Sequence, residues 1–489
     1  MTVKLAQDTL SALPPQVAVP AYDRSALTPG ILHIGVGNFH RAHQAVYLDR
    51  LFDLGHDHDW AVIGAGILPG DAAMRHRLKA QDCLTTVIEL APDGLGARVC
   101  GAMIDFTDTD AGAIVSALCR PEIRIVSLTI TEGGYFVDAK TGGFDTDNPQ
   151  IRGDIENADD PRTVFGILVA GLKRRKDAGL APFTLMSCDN LPENGDVTRN
   201  AVVGLATAID PEFGDWIARN VAFPNGMVDC ITPATSDRER AMVCDTFGIA
   251  DAAPVTCEPF RQWVLEDHFP AGRPALERVG VEFVDDVAPY ELMKLRILNG
   301  GHGAIAYPAA LLGLTYAHEA MAHPLIGAYL EKLELEEIIP TVPPIDGVDF
   351  NGYLSAVVER FSNPAVRDTV SRLCLDGSNR QPKFILPAIR ERIEKGLPVE
   401  GLALEVALWA RFCAGTDDEG REIVVEDENA EMLKQRAIAA RSDPSAFLEM
   451  ESVFGGLHES GAFRSAFADA LQRIWAHGTG AVLRDYIQR

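Results

Sequence analysis

The chain is expected to fold as an α/β protein, with an N-terminal Rossmann-like doubly wound domain over residues 1–285 and an all-helical C-terminal domain over residues 286–489. Three observations predict this. From about residue 30 to 190, apolar strand-like runs alternate with helical patterns. The first of those runs breaks at a Gly-x-Gly pair. Beyond residue 285 the strand-like runs stop, and Leu, Ala, Ile, Glu and Arg recur at helical spacing. A length of 489 residues also exceeds what one hydrophobic core usually supports, so two or three domains are expected.

The strand-like runs are "GILHIGVG" (30–37), "WAVIGAGI" (60–67), "CLTTVIELA" (83–91), "RIVSLTIT" (124–131) and "FTLMSCDN" (183–190). Nearly continuous apolar strands separated by helices imply a mostly parallel sheet covered on both faces. The last two runs lead into "TEGGY" and "SCDNLPENGD". Polar loops at the carboxyl ends of parallel strands are where open sheets bind ligands. The helical half opens in "YELMKLRILNGGHGAIAYPAALLGL" and is punctuated by loops such as "PTVPPIDGVD" and "AGTDDEGREIVVEDE". A helical domain after a nucleotide-binding one commonly completes a ligand cleft.

Composition narrows the partners. With 47% hydrophobic and 23% charged residues the chain reads as globular rather than disordered. A formal charge of −26 repels polyanions, which argues against nucleic acid and anionic membrane. The nine cysteines are scattered, with no Cys-x-x-Cys pair, as suits a reducing compartment. "MTVKLAQDTLSALPP" has no apolar signal region and no run reaches the length of a membrane span, so a cytoplasmic location is expected.

In "ILHIGVGNFHRAHQ" (31–44), Gly35 permits a tight turn and Gly37 lets the backbone approach a pyrophosphate at a helix N-terminus. The third glycine of the usual fingerprint is missing, and His40 stands in its place. That glycine normally lets helix and strand touch, so the helix must start differently or sit farther out. His40 and His43 could also suggest a metal, but no further ligand has suitable local spacing. Packing or positioning roles are the expectation, and no metal. After the second run, Asp71 either faces an adenosine ribose, favouring NAD over NADP, or caps the helix "AAMRHRLKA".

A second constellation lies in "YELMKLRILNGGHG", which holds Glu291, Lys294, Asn299 and His302. On an α-helix Glu291 lies about 60° from Lys294, His302 about 80° and Asn299 about 140°, on one broad face. A desolvated lysine loses proton affinity and can act as general base near neutral pH. Asn and His nearby can donate to an oxygen that becomes negative. The same spacing also suits a solvated helix face with a Glu291–Lys294 ion pair.

Seven segments together, "GVGNFHRAHQAVYLDRL", "ITEGGY", "MSCDNLPENG", "FPNGMVD", "EPFRQWVLEDHFP", "MKLRILNGGH" and "CLDGSNRQPKF", resemble the signatures of the mannitol dehydrogenase family, the long-chain, metal-independent polyol dehydrogenases. They occur in family order from about residue 31 to 385. The resemblance implies an NAD-dependent oxidoreductase that interconverts a polyol and a ketose. It implies Lys294 as general base, and Asn190 and Asn299 as donors to the reacting oxygen. His302 and Asp229 are implied to bind substrate hydroxyls, Glu291 to connect the lysine to water, and Arg372 and Arg380 to line the far end of the polyol. Phe39 belongs to the family's form of the cofactor loop, and Glu132 is implied near the cofactor or the water channel, with a role in turn structure as the equal alternative.

"ITEGGY" and "LNGGHGAIAYP" resemble the mannitol 2-dehydrogenase branch more than the fructuronate reductase branch, which implies D-mannitol and D-fructose as the substrate pair. Two arginines could instead pair with a uronate carboxylate, and arabinitol and sorbitol remain alternatives within the family. A non-catalytic nucleotide-binding protein would be expected to lack the lysine or its asparagines, which are all present. A monomer or small homo-oligomer is expected.

Overall fold

The computed structural model describes residues 2–138 and 141–489, in two compact units, Met1–Ala288 and Pro289–Arg489. The first is built on a five-stranded sheet of β1 (Pro29–Ile34), β2 (Ala61–Ala65), β3 (Met103–Phe106), β4 (Ile125–Leu128) and β5 (Thr184–Ser187). The strand order is β3-β2-β1-β4-β5, parallel throughout. This is the doubly wound order, whose direction of winding reverses between β1 and β4. Every residue of β1, β2, β4 and β5 is buried, which explains their unbroken apolar runs. Side chains alternate between two cores: Ile31 and Ile125 pack on one face, and Leu32, Ile34, Val126 and Leu128 on the other.

One predicted strand lies elsewhere. The run 83–91 forms Thr85–Ala91, which pairs antiparallel with Gly94–Cys100 and parallel with Val255–Cys257 in a separate four-stranded sheet. The cause is the Pro-Asp-Gly turn at 92–94, where Gly94 has φ +151° and folds the chain back as a hairpin. The third place in the parallel sheet falls to β3, a short run the sequence reading passed over.

The missing glycine is compensated by a second histidine. After β1, helix α1 (Asn38–Ala42) breaks at His43 and resumes as α2 (Gln44–Asp53). His40 stacks face to face on His33 of β1, with ring centroids 3.5 Å apart and planes 15° apart. An imidazole pair thus spaces helix from strand where close contact would need glycine. His33 Nδ1 lies 2.8 Å from Ser127 Oγ and its Nε2 3.0 Å from Thr129 Oγ1. His40 Nδ1 and Ser127 Oγ both meet Gln44 Oε1 at 3.0 Å. His43 stacks on Phe39 at 4.7 Å, and its Nε2 meets the Gln262 carbonyl at 3.0 Å.

The second unit is helical, and no named strand falls in it among the described residues. Helix α4 (Gly300–Leu311) is its buried axis, packed on Pro324–Leu333, on Val370–Cys374 and on a later helix, Glu400–Cys413. Almost every position of Glu400–Cys413 is buried, as expected of a helix apolar on all sides. Among the described residues no helix is long and apolar enough to cross a membrane.

Burial pushes His33 down from 6.5 to about 3, and burial beside His33 pushes His40 well below its usual range. Below pH 6.5 the unfolded chain binds protons that these folded rings refuse. Each ring therefore subtracts stability as pH falls from there, by up to about 1.4 kcal/mol per pH unit. In an NMR titration of labelled histidines, the His33 and His40 signals should stay flat from about pH 8 to 5; a protonation step in that interval would contradict the stacked neutral pair.

Candidate active site

The glycine loop sits at the carboxyl end of β1, beside the reversal point. Gly35 has φ +96°, and a Cβ there would lie 2.0 Å from the Thr129 carbonyl oxygen, so only glycine fits. Gly37 is exposed, and its Cβ position meets nothing nearer than 3.8 Å. Bare backbone at the start of α1 is what a pyrophosphate needs, so the loop fits a dinucleotide. Arg41, buried beneath it, holds the loop in shape. Its Nε donates to Gly37 O at 3.1 Å, one Nη to Asn38 Oδ1 at 2.7 Å and the other to the Ala253 carbonyl.

Phe39 is half-buried against this core. Helix α3 (Pro69–Lys79), after β2, begins before Asp71 rather than after it, so Asp71 is the third residue of the helix and accepts from Leu68 N–H at 2.8 Å instead of standing at the N-cap. A Cβ on Gly66 would fall 2.4 Å from its Oδ2, which places the carboxylate against the carboxyl end of β2 as well.

The loops after β4 and β5 are tied by a residue the sequence reading quoted without weighing, Asp189. Its Oδ2 accepts from Ile130 N–H at 3.0 Å and from the Tyr135 hydroxyl at 2.6 Å, and its Oδ1 accepts from Thr131 N–H at 3.0 Å. Burial pushes its carboxyl above the ordinary value against these hydrogen bonds. The loop it grips is strained, with Thr131 at φ +65° and Phe136 at φ +51° on either side of the turn Glu132–Tyr135. Glu132 and Asn190 are both exposed at these loop tips. Asn194 extends the frame: its Nδ2 donates to Asp189 O at 3.1 Å and to Gly226 O at 2.7 Å, and its Oδ1 accepts from Gly226 N–H at 2.9 Å. Gly226 begins the strand Gly226–Asp229, at whose end Asp229 is buried. Three of the motifs are thereby one hydrogen-bonded body.

In the helical unit, Glu291 lies within the helix Ala288–Met293 and is buried. Lys294–Asn299 is then a π-helix rather than the α-helix assumed from spacing. Hydrogen bonding from i to i+5 stacks Lys294 and Asn299 one turn apart, where an α-helix would splay them by about 140°. Lys294 is 7% exposed and Asn299 half-buried. His302, on α4, stacks on Phe361 at 4.4 Å. Burial and then Arg380, Arg372, Arg360 and Lys294 push it well below its usual range, so the ring is neutral, and its Nε2 has no hydrogen-bond partner among the described residues.

The two arginines differ. Arg380, on α5 (Gly377–Phe384), donates to Leu373 O at 2.7 Å and lies over the Phe384 ring at 5.6 Å. Arg372 is exposed and grips Asp368 with two nitrogens. Among the described residues no three or more His, Cys, Asp or Glu are gathered as metal ligands are.

The family model for the mannitol dehydrogenase Rossmann domain matches residues 29–278, and that for the mannitol dehydrogenase C-terminal domain matches residues 286–475. The chain belongs to the mannitol dehydrogenase family. The mannitol 2-dehydrogenase of Cereibacter sphaeroides is 56% identical over 473 residues, 96% of this chain and 99% of that one. The mannitol 2-dehydrogenase of Pseudomonas fluorescens, solved as a ternary complex with NAD and D-mannitol, is 43% identical and superposes with a TM-score of 0.87 over 100% of both chains. A D-sorbitol dehydrogenase solved in substrate-free form is 36% identical, with a TM-score of 0.91 over 98% of this chain and 100% of that one.

The frame around Asp189 sets an expectation. Asp189→Ala leaves two N–H groups unpaired and the Tyr135 hydroxyl with Ser187 Oγ alone, at about 1–3 kcal/mol for each unpaired group where water cannot replace the bond. Urea unfolding should show a loss of about 3 kcal/mol, with a fall in catalytic efficiency; a loss under about 1 kcal/mol with unchanged kinetics would overturn the role.

Proposed function

We propose that this chain is an NAD-dependent polyol dehydrogenase interconverting D-mannitol and D-fructose with a lysine general base and no metal. The observation that carries the reading is the π-helical turn Lys294–Asn299, which sets the two residues one turn apart within the family motif. Lys294 takes the proton of the hydroxyl being oxidised. Asn299 and Asn190 donate to the oxygen as it becomes negative. Gly35, Gly37 and Phe39 would hold NAD, which would supply the acceptor for the hydride leaving the same carbon. Asp71 favours NAD over its phosphorylated form by repelling a 2′-phosphate.

Neutral His302 can donate or accept through Nε2 at a substrate hydroxyl, which a protonated ring could only do as donor. Asp229 holds a further hydroxyl, and Arg380 closes the far end of the polyol with Arg372. Glu291 passes protons between the lysine and water, and Glu132 stands near the cofactor. The ion pair of Arg372 with Asp368 weighs against a uronate substrate, because its fork is already filled by a carboxylate. The reading places the enzyme in the cytoplasm, as a monomer or small homo-oligomer, acting on a small polyol or ketose.

The test is NADH absorbance with NAD and a polyol panel, and with NADH and ketoses that include fructuronate. D-mannitol and D-fructose should be preferred. Turnover on none sinks the dehydrogenase reading, and preference for sorbitol or fructuronate sinks the substrate. Lys294→Ala should lower kcat by about 10³-fold, within the range for a general base, while NADH still binds as shown by fluorescence titration. Near-normal turnover would remove Lys294 from the role.

A further inference from the structure

The glycines of "NGGHG" admit two buried acids. A Cβ on Gly301 would lie 3.3 Å from Glu334 Oε1, and one on Gly303 would lie 2.6 Å from Glu405 Oε1. Glu405, on α6 (Glu400–Cys413), is fully buried, and its hydrogen-bond partner among the described residues is Gln381, whose Nε2 donates to both oxygens at 2.8 and 3.0 Å. Burying a carboxyl among apolar helices is costly, and a leucine would suit this core better. The other helices that pack on α6, Ala430–Ala439 and Gly461–His477, bring it apolar buried side chains. The fold has no need of an acid here.

What the acid borders is a small cavity. Asn299, Gly303 and Tyr307 line it from successive turns of one helical face, opposite Arg380, Gln381 and Glu405. Its volume is about 10 Å³, room for one water. Leu373, Phe384 and Ile385 give it apolar walls, but Asn299, Arg380, Gln381 and Glu405 bring the roughly two to four polar partners a bound water requires, and Gln381 Oε1 is buried with no hydrogen-bond partner among the described residues.

The chemistry of an amide gives such a water a task. The two ends of a carboxamide are nearly equal in size, so packing cannot decide which faces the substrate, and only hydrogen-bond partners can. Turned one way, Asn299 offers N–H to the reacting oxygen; turned the other, it offers an oxygen that repels it. A water that donates to Asn299 Oδ1 selects the productive orientation. That water needs a second acceptor for its other proton.

We propose that Glu405 is a positioning residue for Asn299: its carboxyl, through one water in the shared cavity, keeps the Asn299 amide group turned toward the reacting oxygen. Arg380 donates to the same water, and Gln381 holds the carboxyl in place. Burial pushes Glu405 up to about 8, and the other ionisable groups facing it are Tyr307 and Tyr329, both held neutral by burial, and Arg380. The inference rests on Asn299 acting as a donor to the reacting oxygen.

A double-mutant cycle tests it, with kcat for mannitol oxidation measured in the full-length wild type, Glu405→Leu, Asn299→Ala and the double variant. Glu405→Leu should lower kcat about tenfold at unchanged NAD affinity, less than loss of an oxyanion donor outright, and should change it less than twofold once Asn299 is alanine. Glu405→Gln, which keeps a polar group in the same place, should restore most of the lost rate. Equal factors in both backgrounds, no effect of leucine, or a glutamine variant as slow as leucine each overturn the proposal. Should leucine not fold, Glu405→Met runs through the same cycle. Asn299→Ala with normal kcat overturns the reading of Asn299 itself, whereas a slow Asn299→Ala with an additive cycle overturns only the role of Glu405.

Discussion

The carboxylate of Asp189 is the constraint on which the loops at the carboxyl end of the Rossmann-type sheet depend. It converts two loops at neighbouring strand ends into one body by accepting from two backbone amides and from a tyrosine hydroxyl that also meets Ser187 of β5. Thr131 and Phe136 sit in left-handed backbone, which side chains other than glycine rarely adopt. Conformations of that kind persist only where the surroundings overdetermine them. Asn194 passes the same fixity on to Gly226 and so to the strand bearing Asp229. Residues on loops thus gain the precision that a site built on strands would have.

The helical half meets the same demand by changing helix type. A π-turn costs backbone hydrogen-bond quality, and such turns gather at functional sites. Here it sets Lys294 and Asn299 one turn apart, where α-geometry would separate them by about 140°. The glycines that follow let side chains approach the backbone of α4 from two directions, so the helix is buried yet edged by polar groups. Together these features fix Lys294, Asn299 and the two buried acids along one stretch of the helical unit.

Much of this was legible in the sequence because it is local. Four of the five apolar runs are strands of the parallel sheet, and the switch to helix near residue 285 is visible as a change of period. What was illegible depends on partners distant in the chain. His40 makes sense only once His33, on the strand beneath, is seen to stack with it. Asp189 sits inside a quoted motif, yet its role comes from residues 130, 131 and 135. The π-helix carries no periodic signature in six residues, so α-geometry was assumed for Lys294 and Asn299. The run 83–91 shows a different failure, since its apolar pattern was right and the Pro-Asp-Gly turn that reassigns it was not weighed.

Chemical rescue tests the central claim, a lysine base without a metal, most directly. Lys294→Ala is mixed with NAD, D-mannitol and a series of small primary amines, and NADH formation is followed. The account predicts saturable recovery that increases with amine basicity and is absent with alcohols of equal size. Turnover that never fell without the amine, or recovery indifferent to basicity, would contradict it.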